Sequence, residues 1–231
     1  PRRHTPEQGV SYVAAIDVGG EAQADCDGVV VREPDSTTVT IAAVDTPGRG
    51  THALPVLCVV EQLAWTGTPH AQLVPALVTV LRAWRPRCVV VDATGMGQPV
   101  AGLLRHELGA RIRQFVFTEK SKSDLGYEFL SLVNGGRIRL YAQDGSIEYR
   151  ETLRQLEHAR AVYRPNRTMG FHVHAADGHD DLLMSLALLA IAVRQAAPRV
   201  ARGTGRNDEA SQHKEHAVTV QAALQRSLFT T

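Results

Sequence analysis

The sequence predicts an α/β fold with a mixed sheet, in which an antiparallel meander is followed by parallel strands and helices cover both faces. Two observations carry this prediction. In the first quarter of the chain, short β-rich runs follow one another with turn-forming residues between them. From residue 69 onward, apolar runs of strand length alternate with segments whose apolar residues recur at helical spacing, which is typical of right-handed crossovers between parallel strands.

The first part of the chain predicts a strand followed by a meander. Residues 12–18 (YVAAIDV) are apolar and β-branched and end at two glycines, which indicates a buried strand. The turn-forming residues 33–36 separate two further β-rich runs. Strands are predicted over 12–18, 28–32, 37–44 and 56–63.

The second part predicts alternating helices and strands. Leu73, Leu77 and Leu81 recur at a spacing of four residues and predict a helix over 69–84. The apolar run 88–91 predicts a strand that ends at Asp92. Further strands are predicted over 111–117 and 137–141, helices over 98–108, 120–133, 147–158 and 180–193, and a hairpin from 161–164 to 170–174. The last helix is apolar almost all round, so we expect it to be buried on the sheet.

Length and composition favour one globular domain. The chain has 231 residues, 44% of them hydrophobic and 21% charged, which suits a single core. We expect an N-terminal extension over 1–11, a domain over 12–197 and a polar, flexible tail over 198–231, because large hydrophobic residues become scarce after Pro198. The formal net charge is only +1, so any contact with nucleic acid must come from local clusters of Arg and Lys.

Two other classes of protein are disfavoured. No apolar run approaches the roughly 18 residues that a membrane span needs, and we expect no membrane partner. The three cysteines form no CxxC pair, and His172 and His174 lack a third ligand for zinc. Cysteines without such a pairing favour a reducing compartment, so we expect a cytoplasmic protein.

Acidic residues fall at one edge of the predicted sheet. Asp17 lies near the end of the first strand, Asp92 ends the strand after the first crossover, and Asp180 and Asp181 open the last helix. In an α/β sheet the carboxyl ends of parallel strands face one crevice, and a helix that starts beside it brings its first carboxylates to the same point. Carboxylates gathered there repel each other unless divalent cations neutralise them, and oxygen ligands favour Mg²⁺ or Mn²⁺. We therefore expect two such ions.

This arrangement predicts phosphodiester chemistry. Two divalent ions roughly 3.5–4 Å apart form a clamp for the in-line displacement of a phosphodiester. Taken singly, each acid also has a structural interpretation, since Asp at a strand end is a common turn former and Asp180 and Asp181 suit a helix cap. The prediction depends on their joint placement.

The order of the motifs resembles a known family. AAIDVGG, VVVDATGMGQPV, FTEKSKSDL and GHDDLLMSLALLA follow one another along the chain. This order resembles the nuclease domain of the large terminase subunit of tailed bacteriophages, within the ribonuclease-H-like superfamily, over about residues 12–193. The resemblance implies that Asp17, Asp92 and Asp181 are the catalytic carboxylates, with Asp180 a further metal ligand or a neighbour of one. Met184 stands where many relatives carry another acid, and the sequence leaves open which of Asp180 and Asp181 contacts metal.

The resemblance also implies an activity and partners. It implies a ribonuclease-H-like endonuclease that cleaves double-stranded DNA, cutting concatemeric viral DNA during genome packaging in the host cytoplasm. An ATPase motor domain, a small terminase subunit and a portal protein are the implied partners. No GxxxxGK[ST] motif occurs in the sequence, so we expect the chain to be the nuclease portion, without the motor.

Basic residues near the expected crevice are candidates for contacts with DNA. Lys120 and Lys122 follow a predicted strand end, where terminase nucleases have similar Lys-Ser segments. Arg160, Arg164 and Arg167 flank the predicted hairpin and suit contacts with the DNA backbone. All five also suit an ordinary solvated surface.

Two glycines, one histidine and two further aspartates complete the list of candidate site residues. Gly95 and Gly97 permit a tight turn and a close approach to a phosphate. His179, just before the acidic pair, is a candidate ligand or proton shuttle as well as a candidate structural residue. Asp25 and Asp27 are secondary acidic candidates and suit a turn equally well.

Three other functions remain open. A Holliday-junction resolvase or transposase shares the acidic cluster and differs in cleaving branched DNA. An actin-like ATPase or sugar kinase would explain Asp17-Val18-Gly19-Gly20, but no second glycine-rich domain follows. A non-catalytic module that docks DNA or a portal would bind without metal, and the acidic set argues against it because gathered like charges are costly without cations.

Overall fold

The strands and helices of the chain were obtained from a computed structural model, which describes residues 1–21, 35–46 and 54–196 together with the backbone of 23–24 and 30–32. The strands are β1 (Tyr12–Asp17), β2 (Gln23–Ala24), β3 (Val30–Arg32), β4 (Ser36–Asp45), β5 (Val56–Thr66), β6 (Cys88–Asp92), β7 (Ile112–Phe115), β8 (Ile138–Arg139), β9 (Ala159–Tyr163) and β10 (Met169–Val173). The helices are α1 (His70–Trp84), α2 (Gly97–Leu108), α3 (Glu119–Asn134), α4 (Ile147–His158) and α5 (Asp181–Ala196).

Six strands form a mixed sheet in the order β7-β6-β1-β4-β5-β8. Strands β1, β4 and β5 pair antiparallel, whereas β6 and β7 continue the sheet parallel to β1 and β8 pairs parallel with β5. Strands β9 and β10 form a separate antiparallel hairpin. The predicted meander followed by parallel strands is confirmed. None of the described helices is long and apolar enough to cross a lipid bilayer.

One strand of the predicted meander was placed wrongly. The run over 28–32 was predicted as a strand of the meander, but Val30–Arg32 pairs with Gln23–Ala24 in a separate two-stranded ribbon. Strand β4 takes the place beside β1, because its ten residues offer a partner to each of the six residues of β1. The three-residue run cannot match that pairing.

Both faces of the sheet are covered. Val13 and Ala15 of β1 belong to the core cluster that contains α3, α4 and α5, while Ala14 and Ile16 belong to the cluster that contains α1 and α2. Successive side chains of a strand point to opposite faces, so β1 is buried on both sides and is apolar throughout. Helix α5 is buried from Asp181 to Val193, which confirms the prediction from its uniformly apolar sequence.

The residues before β1 pack against the sheet. The Arg3 N–H donates to the Val60 carbonyl at 2.8 Å, and the Arg2 guanidinium donates to Glu61 Oε1 at 2.5 Å. Glu61 is only 4% exposed, and Arg2 and His4 both lie within hydrogen-bond distance of its carboxylate. The boundary predicted between 11 and 12 stays a prediction, and the tail over 198–231 lies outside the described residues.

The entry into α2 offers a test of backbone packing. A Cβ at Gly97 would lie 2.3 Å from the backbone oxygen of Asp92, whereas a Cβ at Gly102 in the same helix meets nothing within 4 Å. We expect Gly97→Ala to lower the free energy of unfolding by about 1–3 kcal/mol through overpacking. Gly102→Ala should raise it by about 0.5–1 kcal/mol through helix propensity. Urea unfolding of both variants checks this, and a stabilised Gly97→Ala would contradict the close approach.

Candidate metal centre

Asp17 and Asp92 end two neighbouring parallel strands. Asp17 is the last residue of β1 and Asp92 the last of β6. Ile16 lies opposite Val91 in the parallel register, so the two aspartates follow paired residues and stand side by side at the same edge of the sheet.

The alternation of side chains sends both carboxylates to the same face. Val13 and Ala15 in β1, and Cys88 and Val90 in β6, all belong to the core cluster on the α5 face. Continuing the two-residue period by one step in each strand places Asp17 and Asp92 on that face. Asp92 is only 8% exposed.

Helix α5 begins on the same face. The side chain of Asp181 is 7% exposed, and its Oδ2 accepts a hydrogen bond from the Ser36 N–H at 2.9 Å. Thr38 lies opposite Asp17 in the antiparallel register, and its hydroxyl donates to the Asp181 carbonyl at 2.8 Å. Asp180 is less buried, and its carbonyl accepts the Met184 N–H at 2.8 Å. The helix start is therefore fixed beside the end of β1.

The electrostatics of these four acids are coupled. Burial raises the pKa of Asp17 well above its usual value, and the neighbouring charges of Asp92, Asp181 and Asp180 raise it further. Burial also raises the pKa of Asp92, against the hydrogen bonds from Thr94. The site therefore disfavours the anionic form of its carboxyl groups, a condition that bound cations relieve.

The pKa of Asp181 is raised to about 6, with burial the largest cause. The hydrogen bond from the Ser36 N–H lowers this pKa, whereas the charges of Asp35 and Asp180 raise it. Asp181 therefore changes its charge close to neutral pH in the metal-free protein.

The turn after β6 orients Asp92. The Thr94 N–H donates to Asp92 Oδ1 at 2.8 Å, and the Thr94 hydroxyl accepts the Phe117 N–H at 2.8 Å, which joins the ends of β6 and β7. Gly95 has φ of 51°, a conformation that glycine adopts readily. Gly97 lies against the Asp92 backbone, and this close approach alone accounts for a glycine there.

A second group of ligand atoms adjoins Asp181. Asp35, His179 and Asp181 each offer one ligand atom within 4.8 Å of the other two, and they form the one such group of three among the described residues. The carboxylates of Asp17 and Asp92 share the edge with Asp181 but stand outside this group.

Asp35 was missed by the sequence analysis, which placed it only in a turn. A signal for it existed, because a strand antiparallel to β1 begins where β1 ends, next to Asp17. The approach is close, since a Cβ on Gly19 would lie 2.2 Å from the Asp35 backbone oxygen.

The two candidate lysines occupy different environments. The Lys122 ammonium lies 5.8 Å from the ring centroid of Phe117 and 5.6 Å from that of Phe171. Its charge lowers the pKa of both Asp17 and Asp92, so it lies within electrostatic reach of the site. Lys120 instead pairs with Asp124 at 2.6 Å, with a side chain that is 83% exposed.

The candidate arginines belong to the β9–β10 hairpin. Asn166 and Thr168 each donate to Glu119 Oε1 at 2.9 Å, and Arg164 Nη1 lies 3.5 Å from the same oxygen. Glu119 is the first residue of α3, so the hairpin tip is held near the helix that carries Lys122. Arg160 lies in β9 and Arg167 at the tip with φ of 63°. Asp25 and Asp27 lie outside the described residues.

Solved structures of other proteins share this fold. The large terminase nuclease of thermophilic phage G20c with bound magnesium matches with a TM-score of 0.60 at 18% identity, over 84% of this chain and 89% of that one. Its cobalt-bound form matches with a TM-score of 0.59 at 19% identity, over the same shares of the two chains. The large terminase nuclease domain of Thermus phage P74-26 matches with a TM-score of 0.58 at 16% identity, over 87% of each chain.

The sequence itself matches no family profile and no curated protein. The structural likeness therefore confirms the predicted fold, which is ribonuclease-H-like and shared with large terminase nuclease domains.

The raised pKa of Asp181 predicts a pH-dependent stability. A carboxyl group whose pKa is about 6 when folded and about 4 when unfolded destabilises the folded, metal-free protein above pH 6. This destabilisation recedes as the pH falls from 6 towards 4, because the folded state then holds the proton more tightly. In EDTA, Asp181→Asn should be more stable than the wild type at pH 7.5. We expect the difference in free energy of unfolding between this variant and the wild type to shrink by on the order of 1 kcal/mol at pH 5.

Urea unfolding at the two pH values measures this difference. Asp124→Asn, at an exposed position paired with Lys120, is the matched control and should show a small effect at both. An advantage of Asp181→Asn that grows on acidification would contradict the burial of an ionised Asp181.

Proposed function

We propose that this chain is a divalent-metal-dependent endonuclease that cleaves double-stranded DNA. The observation that carries the proposal is the placement of Asp17, Asp92 and Asp181 on one face of one sheet edge, at the ends of two adjacent strands and the start of a buried helix. The ribonuclease-H-like fold adds support, because the G20c large terminase nuclease with this fold binds magnesium.

The chemistry of the donor set fits hard divalent cations. Asp17, Asp92 and Asp181, with Asp180 beside them, supply carboxylate oxygens, which Mg²⁺ and Mn²⁺ prefer. The raised pKa values of Asp17, Asp92 and Asp181 indicate anionic charge that is poorly compensated within the described part of the chain. Two such ions held by these carboxylates would supply the activation of a water for attack on phosphorus and the stabilisation of the leaving 3′ oxygen.

The remaining residues have assignable tasks. Thr94 and Ser36 hold the carboxylates of Asp92 and Asp181 by backbone N–H donation, which fixes their orientation. We assign to Lys122 a contact with the scissile phosphate, because its ammonium lies over two aromatic rings and its charge acts on Asp17 and Asp92. Arg164 and Arg167 on the hairpin contact phosphates further along the duplex and make binding sensitive to salt.

The likeness in fold to large terminase nucleases supports a proposal for the biological role. We assign the chain to the cutting of concatemeric viral DNA during genome packaging in the host cytoplasm. Its partners there are an ATPase motor domain, a small terminase subunit and a portal protein. We assign the nuclease domain to 12–197, preceded by an extension over 1–11.

Removing one carboxylate tests the site. Asp92→Asn keeps the shape of the side chain and its hydrogen bond from Thr94 but loses the negative charge. Cleavage of supercoiled plasmid in Mn²⁺ or Mg²⁺ should fall at least about 100-fold, since the metal's contribution is several kcal/mol. Asp124→Asn should cleave at the wild-type rate. Undiminished cleavage by Asp92→Asn, or cleavage in EDTA, would remove the proposed centre, and preference for a four-way junction over linear duplex would reassign the substrate.

The two lysines give a matched pair of variants two residues apart. Lys122→Gln should lower the cleavage rate about tenfold and reduce the slope of log affinity against log salt by about 1, as expected for one lost phosphate contact. Lys120→Gln should change either quantity less than about twofold, because its ammonium is exposed and paired with Asp124. Equal losses in the two variants would place the DNA elsewhere on α3.

A further inference from the structure

Four arginines border one cleft at the edge of the sheet opposite the candidate metal centre. Arg82 lies in the last turn of α1 and Arg85 directly after that helix, whereas Arg87 precedes β6 and Arg111 precedes β7. Together with Glu107 these residues line an open cleft of about 880 Å³. We call it the arginine cleft.

The positive charge of the arginine cleft is largely uncompensated. Glu107 is the one acid that lines it, and its carboxylate pairs with Arg82 at 2.8 Å. Arg85, Arg87 and Arg111 are exposed, and none of them forms an ion pair with a residue that the structure describes. Since the whole chain has a formal net charge of only +1, the cleft is a local concentration of positive charge.

A structural role does not account for all of these arginines. Cations stabilise a helix C-terminus through the helix dipole, an effect confined to the last turn. Arg87 and Arg111, however, each lie three residues beyond the end of a helix. Arg85 has a left-handed backbone conformation with φ of 49°, which is unfavourable for a residue with a side chain and usually taken by glycine. The fold alone favours glycine there, so the guanidinium of Arg85 indicates binding.

The chemistry of the lining favours a polyanion over a protein partner. Among the described residues, none of the exposed large hydrophobic side chains lines the arginine cleft. The centres of protein–protein interfaces are apolar and aromatic, whereas interfaces with DNA are more polar and much more positively charged. Guanidinium groups also match the geometry of phosphate oxygens through paired hydrogen bonds.

The position of the cleft separates it from DNA at the carboxylates. Arg87 directly precedes β6 and Asp92 ends it, so five residues at about 3.3 Å each place them roughly 16 Å apart. Strands β6 and β7 run parallel, so Arg87 and Arg111 lie where both strands begin. The carboxylates lie at the edge where strands end. A straight duplex along one of these opposite edges does not reach the other.

We propose that the arginine cleft binds the phosphate backbone of a second segment of duplex DNA, separate from the segment at the carboxylates. Contacts to phosphates alone require neither a metal ion nor a particular base sequence. The inference goes beyond the proposed function, because the cleft binds DNA whether or not the carboxylates cut it. A chain with both surfaces holds two duplex segments at once.

Titration of the full chain with a short labelled duplex in EDTA tests the cleft without any cleavage. The wild type should bind two duplexes per chain, and the double variant Arg87→Gln with Arg111→Gln should bind one. The triple variant Lys122→Gln, Arg164→Gln and Arg167→Gln, which removes contacts at the other edge, should still bind one duplex. Adding the two cleft substitutions to it should weaken that binding at least about tenfold, since hydrogen bonds to charged groups are lost.

Two single variants separate binding from folding. Arg85→Gly should weaken binding to the cleft and yet unfold at no lower urea concentration than the wild type, because glycine suits the left-handed conformation. Arg150→Gln, at an exposed position of α4 outside the cleft, is the matched control and should bind two duplexes.

The outcomes distinguish this proposal from the proposed function. If the wild type binds one duplex per chain, or if Arg87→Gln with Arg111→Gln still binds two, the proposal is overturned. Binding of a poly-glutamate peptide to the cleft in place of duplex DNA would also overturn it, in favour of an acidic protein partner. If Asp92→Asn instead cleaves normally, the proposed function fails, and two duplexes per chain in EDTA still support the arginine cleft.

Discussion

The seating of α5 on β4 is the constraint on which the candidate site depends. Helix α5 is buried on all sides along most of its length, so apolar packing alone does not fix its position along its axis. Two polar contacts do, because the Thr38 hydroxyl donates to the Asp181 carbonyl and the Thr40 hydroxyl shares a hydrogen bond with the Ser185 hydroxyl, each at 2.8 Å. Two residues of a strand span about 6.8 Å and four of a helix about 6 Å, so the contacts match in register. If α5 were shifted along its axis, the buried hydroxyls of Thr38 and Thr40 would lose these partners, at a cost of about 1–3 kcal/mol each.

This position of α5 is favourable for packing and unfavourable for the electrostatics of the site. It brings the carboxylate of Asp181 into the neighbourhood of Asp17 and Asp92, where burial raises the pKa of all three and neighbouring carboxylates raise the pKa of Asp17 and Asp181 further. Lys122 offsets part of the repulsion, since its charge lowers the pKa of Asp17 and Asp92. The metal-free fold therefore carries a destabilising charge cluster that its apolar core outweighs, and divalent cations would convert that cluster into a source of stability.

Local patterns predicted those parts of the site that depend on strand ends and periodicity. The positions of Asp17 and Asp92 follow from two apolar strands and their alternation, and the burial of α5 follows from its composition. Such local patterns could not predict contacts between segments that are distant in sequence. Lys120 and Lys122 look alike in sequence, and only the rings of Phe117 and Phe171, the second of them from the hairpin, separate their environments. Asp35 was missed and Val30–Arg32 misplaced for the same reason, because both depend on how β4 docks beside β1.

Asp181 lies between two groups of side chains of different chemistry. On one side Asp17 and Asp92 offer only oxygen, and on the other His179 adds a nitrogen. The Ser36 N–H donates to Oδ2 of Asp181, and Ser36 directly follows Asp35, so the start of β4 both orients the buried carboxylate and carries Asp35 to this edge of the sheet. The docking of β4 beside β1 therefore sets the surroundings of Asp181 as much as the start of α5 does, through residues outside the carboxylate set that the sequence pattern singles out.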